Sequence, residues 1–352
     1  MPTTEFKYAW LSQMDPVWEP IQAECDARFR IFWDLPPEQY QEAWKSAPLV
    51  MPEGTPMDLE VTFTTIPLRD GYEAELKIYR NVERLKAMSG GSYEGEGEKQ
   101  KSAAAGAPLM LVAHGGGWMM GDHAVEEGVC RYTAKETGAV VVSVNYRLAP
   151  KYRFPQGLND YYDAFKWCKA NASTLGINPS MIITCGSSAG GNLAAVLPIM
   201  ARDQNEGGII GQLLNSPVLC HPKYFPRDKG YEYNSFQQNK NSSILGEQNM
   251  LNCWAEYYPN TGPDVYANPL LVDSVKGLPP ALIQISGLDP LRDEEFAYAD
   301  RLREAGIPVD IEVFPGLPHG FYTFPQLEAT TKYFKKSAAW VKKLLASKGW
   351  DA

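Results

Sequence analysis

Histidine is scarce in this chain, four residues in 352, so any chemistry that needs an imidazole has few candidates. The six cysteines (Cys25, Cys130, Cys168, Cys185, Cys220 and Cys253) are scattered and form no Cys-x-x-Cys pair. That spacing argues against a zinc site or a redox dithiol and favours buried, reduced thiols in a cytoplasmic protein. Basic blocks are also missing. Lys plus Arg number 33 against 42 Asp plus Glu, a formal charge of −9, which leaves little with which to neutralise phosphates and excludes nucleic acid as a partner. No apolar run approaches the roughly 18 residues of a transmembrane helix, and the opening MPTTEFKYAW lacks the basic-then-apolar order of a secretory signal. What is present is the composition of an ordinary globular protein, 44% hydrophobic and 21% charged. Its length suits one large α/β domain with an appendage, or two domains, and needs no disulfide or metal to support a core.

Hydrophobic spacing divides the chain. Val17, Ile21, Cys25, Phe29, Phe32 and Trp33 recur near helical period within 7–47, and Pro37 is placed to open a second helix. Glu60–Ile66 and Ala74–Tyr79 alternate around Arg69-Asp70-Gly71, a hairpin signal. Met88–Ala107 is low in complexity and nearly devoid of large apolar groups, so a flexible surface loop is expected there, a domain linker being the competing reading. Beyond it, apolar runs at Leu109–Ala113, Val140–Val144, Met181–Cys185, Ile209–Asn215, Ala281–Ser286 and Val309–Phe314 alternate mostly with helical stretches. Such a pattern predicts a mostly parallel central sheet with helices on both faces. Cys220–Pro259, polar and aromatic with a helical piece at Gly246–Tyr258, breaks the rhythm and reads as an insertion.

Four motifs carry chemistry. Gly186-Ser187-Ser188-Ala189-Gly190 joins a strand to a helix, the context in which a serine on a tight turn stands proud of a sheet beside unpaired helix amides. Ser187 competes by adjacency, but only Ser188 has a glycine two residues away on each side. His114-Gly115-Gly116-Gly117-Trp118 follows a strand. Three glycines in a row suit backbone amides turned toward a small anionic centre, and no Gly-Lys-Ser/Thr follows to make a phosphate loop. Among the histidines, His114 reads as an anchor of this loop and His123 and His221 as ordinary polar residues, whereas His319 sits in a short rigid loop after the last strand. Asp289, just past the strand Ala281–Ser286, is the candidate acid. Asp293, four residues on, is its local competitor and reads better as a helix N-terminal carboxylate. The chain order Ser188, Asp289, His319 is that of α/β-hydrolases.

On these residues the sequence closely resembles the hormone-sensitive-lipase-like esterases of the α/β-hydrolase superfamily. The matches are His114-Gly-Gly-Gly-Trp118, Asn145-Tyr-Arg-Leu-Ala-Pro150 with Phe154-Pro155, Gly186–Gly191, Asp289-Pro-Leu-Arg-Asp-Glu294 and Pro318-His-Gly-Phe321, in consistent order over about 109–324. The resemblance implies an α/β-hydrolase fold with a helical cap formed by 1–56 and 220–260, over a core of 57–219 and 261–352. It implies Ser188 as nucleophile, Asp289 as acid, His319 as base, and an oxyanion hole from the amides of Gly116, Gly117 and Ala189. One departure stands out: the residue before the nucleophile, commonly acidic in the family, is Ser187.

The expected chemistry is a two-step acyl transfer on a small or medium soluble ester, with no metal or organic cofactor. Trp118, Phe321 and Tyr322, with Trp10, Trp18, Trp33 and Trp254, are candidate linings of an apolar substrate pocket, with plain cap packing as the alternative. The same residues would also serve amide, lactone or thioester cleavage, or acyl transfer to another alcohol. A non-catalytic ligand-binding protein on the same scaffold is the remaining alternative. The sequence leaves the oligomeric state, a homodimer included, open.

Overall fold

The computed structural model describes residues 6–88, 106–260 and 262–350. Residues 89–105, all of the expected flexible loop except its ends, lie outside the described residues. Eight strands, β1 (Glu60–Pro67), β2 (Glu73–Arg80), β3 (Ala107–Ala113), β4 (Val140–Val144), β5 (Ile177–Ser187), β6 (Ile209–Asn215), β7 (Ala281–Leu288) and β8 (Val309–Pro318), form one sheet in the order β1-β2-β4-β3-β5-β6-β7-β8. Pairings β1–β2 and β2–β4 are antiparallel and the remaining ones parallel. The β1–β2 hairpin turns at Asp70-Gly71, where Gly71 has φ +81.

Eleven helices are described: α1 (Glu19–Trp33), α2 (Tyr40–Lys45), α3 (Val82–Met88), α4 (Glu127–Thr137), α5 (Gln156–Ala170), α6 (Ala172–Leu175), α7 (Ser188–Asp203), α8 (Ser235–Gln238), α9 (Glu247–Tyr257), α10 (Arg292–Glu304) and α11 (Glu328–Ala346). Strand alternation sorts the core into two faces. Leu109, Leu111 and Ala113 pack with Leu158 and Phe165 of α5 and Leu193 and Val196 of α7. Met110 and Val112 pack with Val129 and Cys130 of α4 and Phe334 and Val341 of α11. Because both faces are covered, β3 and β4 are buried along their whole length, as their unbroken apolar runs require.

The stretch read as helical over 7–47 is broken into a 3-10 turn (Ala9–Ser12), α1, a second 3-10 turn (Pro37–Gln39) and α2. Pro16, Pro36 and Pro37 stand between these pieces, each lacking the N–H that a continuous helix would use. Trp33 Nε1 donates to the Ile244 carbonyl (2.7 Å), so α1 reaches across to the segment between α8 and α9.

The strand order explains where chemistry can collect. The chain leaves β3 toward β4 on one side and returns to β5 on the other, so the order reverses at the carboxyl ends of β3 and β5, where open α/β sheets open a crevice. Ala113 pairs with Gly186, which puts His114-Gly115-Gly116-Gly117 beside Ser187 and Ser188. At the other side Leu288 pairs with Pro318, which sets Asp289 next to His319.

Candidate active site

Ser188 begins α7 with φ 52, a left-handed conformation that an L-residue adopts only under constraint from its surroundings. The constraint is the close passage of backbone on both sides. A Cβ on Gly190 would stand 2.1 Å from the Ala113 carbonyl oxygen, and one on Gly186 would stand 2.3 Å from that of Gly190. Only glycine permits this turn, and the turn lifts the Ser188 side chain off the sheet.

Its hydroxyl meets His319, whose Nε2 lies 2.9 Å from Ser188 Oγ. The other ring nitrogen, Nδ1, lies 2.5 Å from Asp289 Oδ2. A carboxylate accepts, so Nδ1 carries the hydrogen and Nε2 is free to accept from the serine hydroxyl. Asp289 is fully buried and its second oxygen accepts from the Leu291 amide (2.9 Å). The neighbouring Asp293 points elsewhere: Oδ2 accepts from the amides of Asn234 (2.6 Å) and Ser235 (2.7 Å), and Oδ1 from Arg292 Nε (2.8 Å). Asp293 therefore ties α10 to α8, while Asp289 faces the imidazole.

The glycine loop lies against the same hydroxyl. Gly116 (φ +125) and Gly117 (φ +60) both hold conformations that favour glycine, and a Cβ on Gly116 would fall 2.0 Å from the Met120 carbonyl oxygen. His114 anchors the loop: Nδ1 donates to the Gly115 carbonyl (2.8 Å), and the ring stacks on Tyr146 at 4.3 Å. Burial pushes the His114 imidazole down to about 4, so it stays neutral and serves as a fixed donor. The first amides of α7, Ala189 among them, have no carbonyl one turn back to accept them and carry the positive end of the helix dipole.

A cavity of about 80 Å³ opens directly over Ser188 and His319. Gly115, Gly116 and Gly117 form one wall, and Phe29, Trp33 and Trp44 close it from the amino-terminal helices. Ile244, Leu245, Met250 and Cys253 close the far side.

The alpha/beta hydrolase fold family matches residues 110–323. The AB hydrolase superfamily protein B1A11.02 of Schizosaccharomyces pombe is 32% identical over 284 residues, which is 80% of this chain and 78% of that protein. The chain belongs to the α/β-hydrolase superfamily, in its hormone-sensitive-lipase-like branch. The carboxylic ester hydrolase LipN of Mycobacterium tuberculosis is 38% identical over 62% of this chain and 58% of its own length, so the chain spans less than two thirds of that relative. Among solved structures, a hyperthermophilic esterase from the archaeon Pyrobaculum calidifontis superposes with a TM-score of 0.75 at 30% identity, covering 94% of this chain and 98% of its own.

Within this α/β hydrolase the aromatic candidates separate. Tyr322 and Trp33 line the cavity, but Trp118 and Phe321 do not. Trp118 stacks face to face on Tyr257 (4.1 Å, 3°) beside Trp254, and Phe321 packs among Phe314, Tyr322 and Tyr333. Trp18 is buried against Phe324, and Trp10 is 65% exposed. These side chains hold the walls together instead of forming their surface. His123 bonds Ser143 Oγ (2.8 Å), and His221 accepts from the Lys223 amide (3.1 Å).

Three residues at the site escaped sequence reasoning. Phe29 and Trp44 line the cavity, although their helical spacing signalled only a buried face. Glu126, wholly buried, accepts a hydrogen bond from Ser187 Oγ. At the position before Ser188, where the resemblance would put an acidic group and this chain has Ser187, a carboxyl from 61 residues earlier meets the serine.

Proposed function

We propose that this carboxylic ester hydrolase works through an acyl-enzyme on Ser188, with His319 as general base and acid and Asp289 as the group that orients and stabilises the imidazole. The observation that carries this reading is the continuous chain Ser188 Oγ–His319 Nε2 (2.9 Å) and His319 Nδ1–Asp289 Oδ2 (2.5 Å), closed from bulk water in a buried setting. In the first half-reaction His319 takes the hydroxyl proton as Ser188 attacks the ester carbonyl. The tetrahedral oxyanion is received by the amides of Gly116, Gly117 and Ala189, and His319 returns the proton to the leaving alcohol. Water then repeats the sequence on the acyl-enzyme and frees the acid.

The cavity supports a substrate class. Apart from the catalytic groups, backbone, Tyr322 and Thr323 its lining is mostly apolar, and about 80 Å³ accommodates a short acyl group and no more without rearrangement. We take residues 1–56 and 220–260 as a cap over a core of 57–219 and 261–352, since Phe29, Trp33 and Trp44 from the first and Ile244 to Cys253 from the second meet above Ser188. Among the described residues no helix is long and apolar enough to cross a membrane. The six free thiols, all buried, suit a cytoplasmic enzyme acting on small soluble esters.

The test is a series of chromogenic esters of increasing acyl length, run on the wild type and on Ser188→Ala, with mass spectrometry of the protein after an organophosphonate. Wild type is expected to turn over the short esters and gain one phosphonyl group; the variant should do neither. Equal turnover by both proteins would remove Ser188 from the mechanism.

A further inference from the structure

Glu126 stands at the start of α4 with no exposed surface. Oε1 accepts from Ser187 Oγ, and Ser187, also without exposed surface, immediately precedes the nucleophile. Gly115 lies against that hydroxyl: a Cβ there would stand 2.6 Å from Ser187 Oγ and 3.6 Å from Ser188 Cβ. The backbone amides of Gly115 and Ser187 also face the Glu126 carboxyl and favour its charged form. Oε2 closes no further hydrogen bond of ordinary geometry. The bonded pair Glu126–Ser187 therefore lies between both halves of the site, the turn that carries the nucleophile and the loop that would receive the oxyanion.

Among the described residues the surroundings offer no counter-ion. The titratable groups that sense Glu126 from neighbouring elements are Tyr146 beside β4, Tyr322 in the loop after β8, Tyr333 of α11, Cys130 of α4 and Cys185 of β5. Burial raises the pKa of all five, so all are neutral at physiological pH. No Lys, Arg or His figures among the groups that act on its charge. A buried carboxyl without a cation costs stability that an apolar residue of similar size would not. Its placement one residue behind the nucleophile gives that cost a use.

We propose that Glu126 is a positioning residue for the ester-cleaving reaction: by holding Ser187 Oγ, against which Gly115 packs, it fixes the nucleophile turn against the oxyanion-binding loop. The inference rests on Ser188 being the nucleophile. Glu126 acts on the reacting atoms only through Ser187, so its removal changes the relative placement of hydroxyl and amides while leaving the substrate cavity, which it does not line, intact. Burial pushes its carboxyl up to about 7. The ionised form is the stronger acceptor for the Ser187 hydroxyl, so the clamp tightens as pH rises through that value. Turnover then falls at its acid limb as Glu126 takes up its proton.

The experiment measures kcat and KM from pH 5 to 9 with a short-chain chromogenic ester. It uses the full-length wild type, Glu126→Gln, Ser187→Ala and the double variant, with thermal midpoints taken alongside. Glu126→Gln keeps the shape and one acceptor but cannot titrate. It should lower kcat roughly 10- to 100-fold, the scale of a small misplacement of reacting groups, with KM changed less than about twofold on the same ground. Its acid limb should lose one proton's worth of steepness relative to the wild type. Ser187→Ala should lose kcat similarly, and the double variant should be no worse than the poorer single one, as expected when both act through one contact. Wild-type kcat with an unchanged acid limb in Glu126→Gln overturns the proposal, as does a fall in thermal midpoint alone. Should Glu126→Gln fail to fold, Ser187→Ala, which removes a single oxygen, decides by the same criteria. Phosphonate labelling separates the two levels. A Glu126→Gln protein still labelled on Ser188 at the wild-type rate sinks this inference only, whereas turnover by Ser188→Ala sinks the reading beneath it.

Discussion

Asp289 and Asp293 lie four residues apart at the start of α10, yet their carboxylates face different partners: Asp289 meets the imidazole of His319, and Asp293 meets the amides of Asn234 and Ser235. Substitution by asparagine should separate the two roles. Asp289→Asn presents an amide to Nδ1 and favours the wrong tautomer, so kcat is expected to fall about 10⁴-fold with the protein still folded. Asp293→Asn weakens the acceptor of two buried amides and should cost about 1–3 kcal/mol of stability, read by urea denaturation, while kcat stays within a few-fold. The reverse pattern would move the acid to position 293.

Mild acidification should cost stability through the buried histidines, and His123 should account for one proton of that loss. Burial pushes both His114 and His123 down to about 4, whereas an unfolded histidine titrates near 6.5. Above 6.5 neither state binds the proton and the full stability is present. Between 6.5 and 4 the unfolded chain takes it up and the folded one does not, so stability drops by up to about 1.4 kcal/mol per pH unit for each histidine. Glu126, raised to about 7, and Glu294 and Glu295, also raised by burial, act with the opposite sign above their unfolded values, and His221, lowered, acts with the same sign as the other two histidines, so the net slope is a balance within which the test isolates His123. The slope of unfolding free energy against pH should therefore be shallower in His123→Asn by about one proton's worth. An unchanged slope would mean that His123 protonates in the folded state.

Much of this arrangement was legible because strand ends and glycine motifs are local signals. The run Met181–Cys185 followed by Gly186-Ser187-Ser188-Ala189-Gly190 marks its own strand, turn and helix, and the structure extends the strand back to Ile177, where it pairs with Ala107, and on to Ser187, where pairing with Asn215 continues. In the same way β8 runs past Phe314 to Pro318, since Leu288 of β7 continues alongside it. Contacts between distant segments were not legible. Nothing in the spacing of Glu126 distinguishes a carboxyl under the nucleophile turn from one at a helix start, and Glu127 next to it forms an ordinary buried ion pair with Lys77 and Arg131. Trp118 shows the same limit. Adjacent to the glycine loop it looked like a cavity wall, but its φ of 61 and its stacking on Tyr257 aim the ring away.

Acyl-length preference should be set by Trp44. Together with Phe29 and Thr323, it borders both the cavity of about 80 Å³ over Ser188 and a neighbouring groove of about 270 Å³ between α1, Pro48–Val50 and Phe324–Gln326. Removing the indole in Trp44→Ala joins the two spaces, so a chain too long for the first finds room in the second. Each methylene accommodated in an apolar pocket contributes roughly 1–3 kcal/mol, so the ratio of kcat/KM for an octanoyl ester to that for a butyryl ester should rise at least about tenfold. Trp10→Ala serves as the control, because that ring is 65% exposed and lines neither space. If the ratio is unchanged in Trp44→Ala, the long chain takes another path, and the partition between cavity and groove has no part in substrate choice.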